Sequence, residues 1–123
     1  MARDHRKLKA FQLADALVIA VYRATRAFPD EERFGLTSQM RRPAVSAAAN
    51  IVERAARETE ADFLRFLDIA LASLRELGYY VDLSGRLRYL SDAEAAQLRS
   101  KYDEAARVLQ GLIRSLRGVG HAP

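Results

Sequence analysis

The side chains best equipped for chemistry in this chain are guanidiniums. Arg41 and Arg42 are adjacent, with Arg33 upstream and Arg54 and Arg57 downstream. Each guanidinium is a planar fork of donors that matches a phosphate or carboxylate bidentately, so together they suit a polyanion's backbone. Consecutive helical positions lie about 100° apart, which lets one arginine of the pair face a groove while the other faces water. The competing reading is an ion pair with Glu31, Glu32, Glu53 or an acid of a neighbouring subunit. We assign phosphate contact to Arg41, with Arg33, Arg54 and Arg57, and the ion-pair role to Arg42. Ser46, Asn50 and Glu53 recur about one turn apart on an otherwise apolar stretch. A buried amide must be hydrogen-bonded, so this polar strip is expected to fix helix register or a subunit contact. Glu76, between Arg75 and Leu77, reads as half of an inter-helix ion pair. Tyr79 and Tyr80 could stack on bases, although tyrosine at this spacing more often serves a core or an interface.

Catalytic groups are scarce. Cysteine is absent, and the two histidines, His5 and His121, sit near opposite ends of the chain. No histidine follows Glu53 or Glu76 at the Glu-x-x-His spacing of a di-iron bundle, and there is no glycine-rich phosphate loop. The expectation is a protein that is not an enzyme, with no metal site and no cofactor.

These groups need a scaffold, and 123 residues supply one domain with one core. The net charge is +4 but uneven: residues 1–57 carry 11 basic against 6 acidic side chains, and residues 58–123 carry 9 against 10. A one-sided surplus can attract a polyanion such as the RNA or DNA backbone. The longest uncharged run near the start, residues 16–22, is too short for an export signal, and nothing approaches the ~20 apolar residues of a membrane span. A cytoplasmic chain is expected.

Apolar residues recur at helical spacing throughout. Helices are expected at about 7–27, 37–57, 60–88 and 92–117, with a disordered tail over 118–123. Pro29 ends the first, because a residue preceding proline is pushed out of the α region. Thr37 or Ser38 is a candidate N-cap for the second. Pro43 then either kinks that helix or marks where its main part begins. Thr59 with Asp62 opens the third, and Ser91 with Glu94 forms a capping box for the fourth. Core lines are read at Phe11, Ala14, Val18, Val21, Thr25 and Phe28; at Phe63, Leu67, Ala70, Leu74, Leu77 and Val81; and at Leu98, Tyr102, Ala105, Leu109, Leu112 and Leu116. Short loops between long helices imply an all-α, antiparallel up-down-up-down four-helix bundle. Leu13, Leu17, Leu64 and Leu71 lie beside these lines. They exceed what one apolar stripe requires, which predicts a homo-oligomer using them as its interface. The alanines of the second helix permit close helix approach.

Residues 28–53, FPDEERFGLTSQMRRPAVSAAANIVE, closely resemble the 23S rRNA intervening-sequence proteins, and residues 63–77 resemble that family's third helix. The likeness spans roughly residues 8 to 90; Pro43, Ala48, Arg54 and Ala72 depart from the family's usual residues. It implies a four-helix bundle and a ring-like homopentamer. The family is in turn similar to the accessory protein of diversity-generating retroelements, a basic pentameric bundle that binds nucleic acid and assists a reverse transcriptase. The expected function is therefore a non-catalytic, oligomeric, nucleic-acid-binding accessory factor. The alternative is a protein-interaction scaffold with no nucleic-acid role.

Overall fold

Each apolar period closes into a helix at a recognisable punctuation mark. The computed structural model describes residues 4–55 and 59–120. Its helices are α1 (Lys9–Thr25), α2 (Leu36–Ala55), α3 (Glu60–Arg86) and α4 (Asp92–Gly120), with single 3-10 turns at His5–Lys7 and Asp30–Glu32. There is no strand among the described residues. α4 runs through Gly118 to Gly120, past its expected end at Arg117, and residues 121–123 lie outside the described residues.

α1 packs on α2, α2 on α3, α3 on α4 and α4 back on α1, while the two diagonal pairs stay apart. That closed square in chain order is the up-down-up-down four-helix bundle. Because each helix meets two neighbours, it buries a stripe wider than a two-helix seam. The surplus leucines are used there. Leu17 and Leu71 are core residues, and Leu13 and Leu64 pack against the core from its edge. Leu17 and Leu71 are thus spent inside one chain, whereas Leu13 and Leu64 stay partly exposed. On α1 the buried line is Ala10, Ala14, Leu17, Val21 and Thr25, with Phe11 and Val18 at its margin. The α3 line is buried as read, whereas on α4 Ile113 replaces Leu112 and Leu116 at the centre. Among the described residues no helix is long and apolar enough to cross a membrane.

Pro43 neither ends nor begins a helix; α2 is continuous through it, and the ring is buried. The start of α2 differs from expectation. Neither Thr37 nor Ser38 caps it. The Glu32 carboxylate folds back, and its Oε1 accepts the Leu36 N–H at 3.1 Å. Gly35 makes room for this, since a Cβ there would stand 2.6 Å from that oxygen. Glu32 Oε2 accepts the hydroxyl of Tyr89 at 2.9 Å, and Tyr89 meets the Phe28 ring with centroids 5.4 Å apart. One carboxylate thus ties the α1–α2 connection to the α3–α4 connection. It also raises the Tyr89 pKa above its ordinary 10.0, chiefly because the hydrogen bond holds the phenol proton.

The other caps are local. Thr59 Oγ1 accepts the Asp62 N–H, and Ser91 and Glu94 satisfy each other's backbone N–H at 3.1 and 2.9 Å. The Glu94 pKa is lowered, first by the Ser91 N–H that donates to it. α3 ends in a Schellman motif: Tyr89 N–H reaches Ser84 O and Arg88 N–H reaches Gly85 O. Arg88 takes the left-handed position at φ 65°, where glycine is usual.

Candidate functional site

α1 and α2 converge on an open groove of about 590 Å³ at the α1–α2 loop end. Three arginines and no acidic side chain line it: Arg33 from the loop, and Arg41 and Arg42 from α2. Its apolar wall is Tyr22, Phe34 and Val45, and its hydroxyls are Thr37, Ser38 and Ser46.

Arg41 is half-buried and fixed to α1. Its Nε donates to Thr25 Oγ1 at 2.9 Å, Nη2 reaches Tyr22 O at 3.5 Å, and Cζ lies 4.4 Å from the Tyr22 ring centroid. Thr25 can accept because its own proton is directed to Val21 O at 2.8 Å. The remaining donors of the fork border the groove. Arg42, one position on, is exposed and makes no ion pair among the described residues. Glu32, one of its candidate partners, holds Leu36 and Tyr89 instead. Arg33 is exposed, with Cζ 5.4 Å from the Phe34 ring centroid.

Arg54 does not join this surface. It is only 7% exposed, with Cζ 5.4 Å from the Phe63 ring centroid. Thirteen helical residues separate it from Arg41, about 20 Å at 1.5 Å per residue. Arg57 lies outside the described residues. Of the predicted basic surface, the groove brings together Arg33 and Arg41, with Arg42 added.

The polar strip reaches α3 through Ser73, a residue the sequence reading overlooked. Asn50 Nδ2 donates back to Ser46 O at 2.8 Å and approaches Ser46 Oγ at 3.2 Å, while Ser46 Oγ meets Ser73 Oγ of α3 at 2.9 Å. Glu53 stands on the exposed side of α2. Glu76 is exposed and forms no ion pair among the described residues; the charged tie between α3 and α4 is Arg117 to Asp68 at 2.6 Å. No cluster of metal-ligating side chains occurs among the described residues.

Sequence reasoning missed Phe34 and Tyr22, and read Thr25 only as a core position. The signal for Phe34 was an aromatic side chain between an arginine and a glycine. Tyr22 and Thr25 become partners of Arg41 only across the α1–α2 packing.

A family model described as 23S rRNA-intervening sequence protein matches residues 6–111. Among solved structures, a protein of unknown function from the S23 ribosomal protein family of Bacteroides thetaiotaomicron is similar in fold. The TM-score is 0.79 at 23% identity, over 85% of this chain and 95% of that one. At that identity the likeness concerns the fold alone. No curated sequence matches the chain.

Proposed function

The chain belongs to the family of 23S rRNA-intervening sequence proteins, and from that premise we propose that it is a non-catalytic accessory protein that binds the backbone of a nucleic acid. The observation that carries this reading is the groove that Arg33, Arg41 and Arg42 line with no acidic side chain in its lining. Guanidiniums so placed bind phosphates bidentately and displace condensed counterions, a contact that carries affinity but no base code.

The test is a titration of labelled structured RNA and duplex DNA at low and physiological salt, repeated with Arg33→Glu and Arg42→Glu. Both arginines are exposed, so reversal leaves the bundle intact. Three phosphate contacts per chain give a log–log salt slope of about −2 to −3, and each reversal flattens it by about one. Binding that ignores both salt and charge reversal would exclude the groove.

A second reading rests on another feature. The outward line of α2, at Ser38, Arg42, Val45, Ala49 and Val52, has the 4-3-4-3 spacing of a helix-packing seam. Val45 and Val52 on it are 41% and 37% exposed. This line is suited to a second copy of the chain, and the family resemblance implies a pentamer. Light scattering of the purified protein decides it: a monomer mass at working concentration excludes self-association.

A further inference from the structure

Phe34 is the most exposed large apolar side chain among the described residues, at 86%. It shares the arginine-lined groove with Tyr22, itself 39% exposed. Single exposed apolar residues need no explanation. An exposed aromatic pair in a groove lined by three guanidiniums and no acidic side chain calls for a ligand with both a flat apolar face and a phosphate.

We infer that this groove takes single-stranded nucleic acid, with an unpaired base stacked on Phe34 and the flanking phosphates on Arg33, Arg41 and Arg42. The inference rests on the proposed nucleic-acid reading and narrows it from any backbone to an unstacked strand. In a duplex the base faces are covered by their neighbours and only phosphates are offered. In a single strand every base presents a π-face, which stacks on aromatic side chains with little regard to sequence. The local geometry favours the second. Arg33 lies over the Phe34 ring at 5.4 Å, which leaves the ring's other side for a base. Arg41 is held at the groove's inner wall by Thr25 and Tyr22, so its fork is preset for a phosphate. The hydroxyl of Ser38 lies on the same wall.

The experiment compares one labelled oligonucleotide, single-stranded and annealed to its complement, against the full chain and its Phe34→Ala and Phe34→Trp variants. The chain contains no tryptophan, so Phe34→Trp places a single reporter in the groove. The expected result is single-strand affinity at least ten-fold above duplex affinity, and a loss of about ten-fold in Phe34→Ala confined to the single strand. Phe34→Trp should retain affinity, with its fluorescence quenched by the single strand only. Equal binding of both forms, unmoved by Phe34→Ala yet still abolished by Arg42→Glu, would overturn stacking and leave the backbone reading standing. No binding of either form at low salt would remove both. A fall in oligomeric mass of Phe34→Ala without nucleic acid would make the occupant a second copy and overturn the inference. With its side chain largely in water, Phe34 can be truncated without unfolding the bundle.

Discussion

A guanidinium has five N–H donors, and Arg41 directs two of its nitrogens to α1, at Thr25 Oγ1 and Tyr22 O. It is both a clasp between two helices and a groove cation, and the two roles separate by substitution. Arg41→Lys keeps the charge but loses the fork. It should cost about 1 kcal/mol in urea denaturation and weaken nucleic-acid binding more than Arg42→Lys does. Equal effects of the two lysines on binding would mean that Arg41 acts as a bare charge. The adjacency of Arg41 and Arg42 was legible in the sequence, whereas the groove that both of them line was not. Nor were the acids they would meet, because Glu32 is claimed by Tyr89, 57 residues away. That bond has its own test. Its contribution is complete below the unfolded tyrosine pKa of about 10 and is lost as pH rises through the higher folded value. Wild type should therefore lose stability more steeply than Tyr89→Phe at alkaline pH. Parallel denaturation midpoints for the two proteins from about pH 9 to 12 would show that the bond contributes nothing.

At the level of the helix, what is written locally can be read locally. The Ser91–Glu94 capping box needs only four consecutive residues and forms as its spacing implies. Ser91→Ala should lower stability by about 1 kcal/mol. The depressed Glu94 pKa means that the carboxylate's share of this cap is present above the unfolded carboxyl pKa and is lost as pH falls through the folded one. The end of α3 carried no such signature. Its Schellman motif places Arg88, not glycine, at φ 65°. A left-handed non-glycine residue costs about 1–2 kcal/mol, and the gain on removing that cost is offset in part by the entropy of a more flexible unfolded chain. Arg88 also pairs with Asp92 at 3.6 Å, both side chains being exposed. Arg88→Gly should raise stability by about 0.5–1 kcal/mol, read as a higher denaturation midpoint, and a lower midpoint would mean that this pair outweighs the strain. The core line of α1 was misread for a related reason. Leu17 and Val18 are both apolar and adjacent, so periodicity alone does not say which faces inward. Two packed neighbours, α2 and α4, select Leu17.

Across the whole molecule, the bundle follows from four amphipathic periods joined by short loops, which is why its architecture was legible while its surface was not. Buried stripes repeat and so announce themselves, whereas a groove is an accident of which exposed side chains two helices bring together. The basic surplus of residues 1–57 is distributed accordingly. Arg33, Arg41 and Arg42 converge on the groove, and Arg54 of the same helix is withdrawn over Phe63. The outward line of α2 begins in that groove at Ser38 and Arg42 and continues to Val52, so a copy of the chain seated on it would bring a second groove close to the first. Linked sites raise affinity through effective concentration, by 10²–10⁴ with no new contact. Val52 lies seven residues beyond Val45 and outside the groove lining, so Val52→Glu alters the seam without touching an arginine. It should reduce the light-scattering mass to that of one chain. It should also weaken binding to a long strand by at least 10²-fold, with the salt slope falling to the value of a single groove, about −2 to −3. Binding to an oligonucleotide short enough to occupy one groove should stay unchanged. An unaltered mass would detach the α2 seam from assembly, and a lower mass with undiminished long-strand affinity would show that the grooves act singly.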